Sequence, residues 1–296
     1  SSSAASDVYK RQVSQSKGMD YMHPFTFNGV RSLIGAAGIL VYILISRKIA
    51  GDKAAKLDWK LNVKAGLLCG IFLTIASTLQ QFGIKYTSVG KAGFITTLYI
   101  IFVPMFGIFL KKKVAPVVWA AAGMAAVGMY LLCMTESLRL GAGDNMVFLC
   151  AIAFAIQIMT VDHYAARIDG AVVSCIQFTV CGVVCCIGAL IWGQPTFGQI
   201  QEGLGALLYA GVLSCGVGYT LQIVGQKGLN PTVAALIMSL ESVIATISGW
   251  IAYKIGFLST DQTLTPRQIA GCIIVFAAVI LVQLPPEWFR FGKKNA

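Results

Sequence analysis

The sequence predicts an all-α polytopic membrane protein, with nine transmembrane helices arranged as an inverted-topology repeat. Three observations carry this. Of 296 residues, 57% are hydrophobic and 12% charged, and mean hydropathy is +0.76; a soluble domain holds about 45–50% apolar and about 25% charged residues. The apolar residues gather into runs close to the ~20 needed to cross ~30 Å of hydrocarbon. Two stretches of the chain also match each other at a fixed offset. A soluble enzyme, a disordered chain and a secreted disulfide scaffold are excluded.

The elements follow in order. Residues 1–12, SSSAASDVYKRQ, are polar and lack the apolar core of a signal peptide. The segment 1–24 reads as a non-membrane leader, expected to be in part an assembly scar. The first span, 25–45, opens after Pro24, where a missing N–H costs little. Spans 64–84, 92–110 and 114–134 follow, and Pro104 should kink the middle one. Spans 145–164, 171–192 and 203–224 come next. Pro231 introduces 232–254, Pro266 introduces 266–284, and Pro285-Pro286 ends the last helix. The first repeat is 25–139 with four helices, the second 145–284 with five, and 285–296 is a tail.

The formal net charge is +11, which in a soluble protein could indicate nucleic-acid binding. Here the bases sit in the gaps between apolar runs. Fourteen, among them Arg47, Lys48, Lys111, Lys112, Lys113, Arg167, Lys227 and Arg290, fall on one side. Five (Lys85, Lys91, Arg139, Lys254 and Arg267) fall on the other. The richer side should be cytoplasmic, which places the C-terminus inside. Nine cysteines all lie in apolar stretches without a C-x-x-C pair, and only His23 and His163 could assist a metal. The cysteines read as small apolar filler, and no metal or cofactor is expected.

Shifting the chain by 142 aligns Thr78-Leu79-Gln80 with Thr220-Leu221-Gln222, Gly83 with Gly225, Lys85 with Lys227, Ala92 with Ala234, Ile95 with Ile237 and Leu98 with Leu240. Pro116 and Ala120 match Pro266 and Ala270 at offset 150. The copies are five spans apart, an odd number that reverses direction across the membrane. Such inverted repeats commonly mark secondary transporters, with the site near the midplane.

Polar residues inside the spans are candidates for that site. Glu241 lies near mid-membrane, where a carboxylate must be protonated, paired or solvated in a cavity. Proton coupling is one reading of it, a structural hydrogen-bonding or ion-pairing role is another, and direct substrate contact is the third. Arg31 must snorkel, pair or face water; with Asn28 one turn before it, it is a candidate for a substrate carboxylate or for an ion pair. Thr74, Ser77, Thr78 and Gln81 form one helical stripe, and Ser214, Gly218 and Gln222, flanked by Tyr219 and Thr220, form its counterpart. Such stripes line a cavity or join helices. Gln157 and Gln177 are intramembrane amides that need partners, and Tyr99 occupies the first-repeat position of Glu241. Gly66-x-x-x-Gly70, Ala122-x-x-x-Ala126 and Gly211-x-x-x-Cys215 read as close helix packing, and Trp119, Trp192, Trp250 and Trp288 as interfacial aromatics.

Three stretches, PFTFNGVRSLIGAAGIL, QQFGIKYTSVGKAGFITTLYIIFVPMFGIF and GQKGLNPTVAALIMSLESVIATISGW with the following TPRQIAGCIIVFAAVIL, resemble the EamA-type members of the drug/metabolite transporter superfamily. The resemblance covers most of 20–284. It implies a ten-helix inverted-repeat carrier of small metabolites in the bacterial inner membrane, often working outward. The chain departs from that pattern by starting at the second helix. The resemblance also makes the SLES stretch around Glu241 a family segment irrespective of substrate. Expected partners are a small-molecule substrate and the lipid bilayer, with no nucleic acid; a homodimer stays open. ATP-driven transport is disfavoured by the missing G-x-x-x-x-G-K-[ST] loop. The rivals are an intramembrane enzyme, for which neither G-x-S-x-G nor H-E-x-x-H is present, and a structural membrane subunit.

Overall fold

The computed structural model describes residues 22–51, 57–111, 114–134, 141–193, 195–254 and 264–284. The leader through residue 21, Lys112, Lys113, Arg139 and the tail with Trp288 and Arg290 lie outside the described residues. Regular structure among the described residues is helical throughout. The first repeat contributes α1 (Pro24–Ala50), α2 (Trp59–Ile84), α3 (Val89–Thr97), α4 (Tyr99–Phe109) and α5 (Pro116–Cys133). Then come α6 (Ala142–Tyr164), α7 (Gly170–Gly188), the short α8 (Phe197–Glu202), α9 (Leu204–Leu208), a π-helix (Tyr209–Gly218), α10 (Tyr219–Gly225), α11 (Pro231–Lys254) and α12 (Pro266–Gln283). Eight helical stretches are long and apolar enough to cross a membrane, and α11 adds a shorter apolar stretch, Pro231–Ile244.

Local chemistry sets the boundaries. Proline opens α1, α5, α11 and α12, where its fixed φ suits the first turn. Asp58 accepts a hydrogen bond from the Leu61 N–H at 3.0 Å, so the second span begins at Trp59 rather than at 64. Asp169 caps α7 through the N–H groups of Ala171 and Val172. Thr265 and Gln268 form a capping box for α12.

Two spans differ from expectation. The 92–110 run is two helices that meet at Leu98, ahead of Pro104. Pro104 withdraws an N–H from the turn before it and crowds that turn. The chain gives way at its start, where the Leu98 N–H bonds to the Ile95 carbonyl at 3.1 Å. In the 203–224 run, the π-helix widens the turns and shifts the register. The expected stripe therefore splits, with Ser214 buried and Gly218 exposed.

Helix pairing follows the repeat. The mates α1 and α7 run antiparallel in close contact: a Cβ at Gly29 would stand 3.0 Å from the Cys186 nitrogen, and one at Gly182 3.2 Å from the Leu33 nitrogen. The mates α5 and α12 do the same, since a Cβ at Gly128 would stand 2.9 Å from the Gly271 carbonyl oxygen. Gly66 and Gly70 bring α2 against Ile176 and Val180 of α7, and Gly211 and Cys215 meet α1 at Arg31, Ile34 and Gly35. These are the packing roles expected of small residues where lipid supplies no hydrophobic drive between helices.

One buried cluster, with Leu73, Phe154, Phe178, Cys181 and Cys215, sits among α1, α2, α6, α7 and the π-helix. A second, with Ile100, Val103, Ala121, Ile158, Leu236 and Val279, joins α4, α5 and α6 to α11 and α12. Large apolar side chains such as Leu44, Ile187, Ile273 and Phe276 are exposed on the outside, a surface suited to lipid. α6 packs along α2 and against α3 and α4.

Candidate functional site

Arg31, Ser77 and Tyr219 converge on one internal cavity, together with Ser32, Leu73, Phe178, Cys181, Ser214 and Cys215. The lining comes from both repeats. The space is about 10 Å³, on the scale of one water. Arg31 is 6% exposed, and its guanidinium carbon lies 5.2 Å from the Phe27 ring centroid, a cation–π distance. Its Nε has no hydrogen-bond partner. Among the described residues no carboxylate pairs with it.

The surrounding polar groups hold one another in place. One turn before Arg31, Asn28 donates Nδ2 to the Ser77 carbonyl at 3.0 Å, tying α1 to α2. The Ser32 hydroxyl donates to Cys181 Sγ at 3.5 Å, and the Ser77 hydroxyl lies 3.6 Å from the same sulfur. Buried Ser214 Oγ has no partner.

Other expected site residues lie elsewhere. Gln222 donates Nε2 to Gln157 Oε1 at 3.5 Å, and Gln157 donates to Gln177 Oε1 at 3.4 Å. The three amides form a ladder across α10, α6 and α7, outside the cavity lining. Thr74 returns its hydroxyl to the Gly70 carbonyl at 2.6 Å. Gln81 is fully buried with both side-chain amide atoms unpartnered. Tyr99 packs between the two large clusters, which include Phe154 and Ile158 of α6. Glu241 is exposed on α11 and does not line the cavity, contrary to its expected burial.

A thin layer closes the cavity on one side. The Phe178 and Tyr219 rings meet edge to face at 5.2 Å, and the Thr220 hydroxyl donates to Ser174 Oγ at 3.0 Å. Tyr219 faces the cavity, whereas Thr220, the next residue, lines an opening of about 460 Å³. Tyr42, Arg47, Asp58, Asn62, Arg167, Asp169 and Lys227 also line that opening. It lies at the base-rich end of the bundle.

The opposite end is knitted shut. His23 stacks on Phe25 and meets Phe82 edge-on, and Phe25 stacks on Trp192. Burial, and then the nearby Lys85 charge, lower the His23 pKa below the ordinary 6.5. Lys91 Nζ lies 2.6 Å from Asp144 Oδ2, with side chains 10% and 2% exposed. Asp144 also accepts from the Thr87 hydroxyl and the Gly141 N–H. This ion pair joins the two repeats, and sequence reasoning missed it. Lys91 and Asp144 each sit in an ordinary first helical turn, and a sequence separation of 53 hides the partnership. Cys181 was missed too, because a thiol in an apolar run reads as filler.

The EamA-like transporter family model matches residues 12–134 and again 141–284. The chain belongs to the EamA-like transporter family. The double match falls on the two copies of the repeat, and the EamA fold with its apolar helices makes this a multi-pass membrane protein of a transporter family. An "uncharacterized transporter" of Archaeoglobus fulgidus is 26% identical over 272 residues, covering 90% of this chain and 79% of that protein. Another "uncharacterized transporter", from Clostridium kluyveri, is 23% identical over 286 residues, covering 93% and 87% respectively. A crystal structure superposes with a TM-score of 0.73 at 15% identity over 98% of this chain and 97% of its own. That likeness carries the fold alone.

Proposed function

We propose that this EamA protein is a secondary carrier of small metabolites that works by alternating access around the cavity at Arg31, Ser77 and Tyr219, without catalysing a reaction. The observation that carries the reading is the asymmetry of closure. One layer, the Phe178–Tyr219 contact with the Thr220–Ser174 hydrogen bond, separates the cavity from the 460 Å³ opening. Several layers close the other end. A cavity of about 10 Å³ cannot hold a metabolite, so this conformation is occluded and poised toward the open side. Substrate would enter when Tyr219 swings away, and release on the far side would require the Lys91–Asp144 pair to part.

The base-rich side is the cytoplasm of a bacterial inner membrane in this reading, with the C-terminus inside. Loading through the opening then makes the protein an exporter. Glu241 is the proposed proton carrier. It is a carboxylate in the apolar helix α11, away from the cavity lining, so a proton there would act through the packing of α11 on α4, α5 and α12. The proposed partners are a small-molecule substrate and lipid. Substrate-evoked pH change in vesicles, with Glu241→Gln in parallel, tests the coupling. Flux with proton movement lost in the variant supports it, and unchanged flux without proton movement leaves a facilitative carrier.

A further inference from the structure

Arg31 is a permanent positive charge inside the bundle, and its environment leaves it uncompensated. It does not snorkel, being 6% exposed and turned into the cavity. Its Nε is unpartnered, and no carboxylate of the described residues reaches it. The Phe27 ring at 5.2 Å offsets only part of the charge. An isolated ion held in a low-dielectric interior is strongly unfavourable unless an opposite charge arrives. Facing the same space, Ser214 Oγ is a second buried polar atom without a partner.

We infer that the central cavity takes the carboxylate of a small organic monoanion, with Arg31 as its counter-charge and the Ser214 hydroxyl as a further donor. This deepens the carrier reading of the same cavity and rests on it. The charge balance selects the class. Among the described residues Arg31 is the one charged group of the lining, so a monocarboxylate makes the loaded site neutral. An amino-acid zwitterion would leave a net positive charge, with no carboxylate among the described lining residues to meet its ammonium, and a phosphate dianion would leave a net negative one. A planar guanidinium also matches a carboxylate by two parallel hydrogen bonds. Leu73, Phe178 and Tyr219 provide an apolar wall for the rest of the molecule.

The approach route has the complementary sign. Arg47, Arg167 and Lys227 line the opening. Its two acids among the described residues, Asp58 and Asp169, are engaged as helix caps. Such a mouth raises the local concentration of anions.

The test is calorimetric titration of the purified full chain near neutral pH with pyruvate and phenylacetate. Pyruvamide, phenylacetamide, phenylalanine and phenyl phosphate serve as comparators. At least one carboxylate should bind roughly tenfold or more tightly than its amide, because a hydrogen bond to a charged group is worth more than a neutral one. It should also bind more tightly than phenylalanine and phenyl phosphate. Arg31→Gln should abolish that preference, Arg31→Lys should retain part of it, and Ser214→Ala should weaken binding about threefold. Thermal melting of each variant separates loss of binding from loss of fold, with Arg31→Lys as the charge-preserving control. The proposal is overturned if neither carboxylate binds, if the amides bind equally well, or if folded Arg31→Gln keeps the preference. Flux in vesicles separates the two readings. Carboxylate binding without carrier-mediated flux would sink the carrier and leave the anion site. Phenylalanine flux unaffected by Arg31→Gln would leave the carrier and sink the anion site.

Discussion

The two ends of the bundle are closed by different chemistry. At one end a buried ion pair, a threonine hydroxyl and a backbone N–H converge on Asp144, beside an aromatic cluster of His23, Phe25, Phe82 and Trp192. At the other end a wide polar opening reaches almost to the cavity, held off by one aromatic contact and one hydrogen bond between hydroxyls. The first closure joins the repeats through charges that cannot be left single inside a protein. The second uses weak, separable contacts. A carrier that rests occluded toward one side needs this inequality, because the barrier that yields first decides which side loads.

The largest effect should come from breaking the strong end. Asp144→Ala removes the carboxylate paired with the buried Lys91 ammonium and should cost about 3–5 kcal/mol, read as a lower melting temperature of the purified protein. Lys91→Met with Asp144→Leu should recover most of that loss, since removing both charges ends the desolvation penalty. If the single and double variants melt alike, the ion pair is not what holds that end.

Tyr219→Ala should sharpen the contrast. The edge-to-face pair is worth about 0.5–1.5 kcal/mol beyond area burial, so stability should fall less than in Asp144→Ala. Access to the cavity from the opening should nevertheless rise clearly, measured as faster modification of Cys181 by a membrane-impermeant thiol reagent. Thr220→Val removes one hydroxyl bond of about 1 kcal/mol and should give a smaller increase in the same rate.

The smallest effect concerns pH at the strong end. Neutral His23 accepts a hydrogen bond from the Phe25 N–H at 3.4 Å through Nδ1, and its folded pKa lies below 6.5. The unfolded chain therefore binds this proton more readily. The contribution is fully present above 6.5 and is lost as pH falls through the lower folded value. Melting followed on acidification should show this slope in the native chain and not in His23→Asn, which keeps a capping acceptor that does not titrate.

The fold was legible because hydrocarbon imposes a simple pattern. All nine apolar runs became helices, and the offset of 142 brought out the repeat whose mates α1 and α7 pack antiparallel. The break at Leu98 and the π-helix were not legible, since each depends on how a turn relaxes around Pro104 or against α1. The candidate site was half legible. Arg31, Ser77 and Tyr219 stood out as polar groups in apolar runs and do meet. Gln157, Gln177 and Gln222 stood out for the same reason, yet they bond to one another away from the cavity, in a ladder that leaves Gln177 Nε2 without a partner. Polarity within a span signals a need for partners without naming them. Glu241 carried the same signal, yet it lies exposed on α11, away from the cavity lining.

The most direct test of unequal closure is the rate at which an impermeant thiol reagent reaches Cys181, kept as the sole cysteine, from each face of oriented vesicles. The account predicts faster reaction from the base-rich face in the native background, a further increase there in Tyr219→Ala, and reaction from the opposite face only once Asp144 is replaced by Asn. Equal rates from both faces, or an Asp144→Asn variant still sealed on its own side, would contradict it.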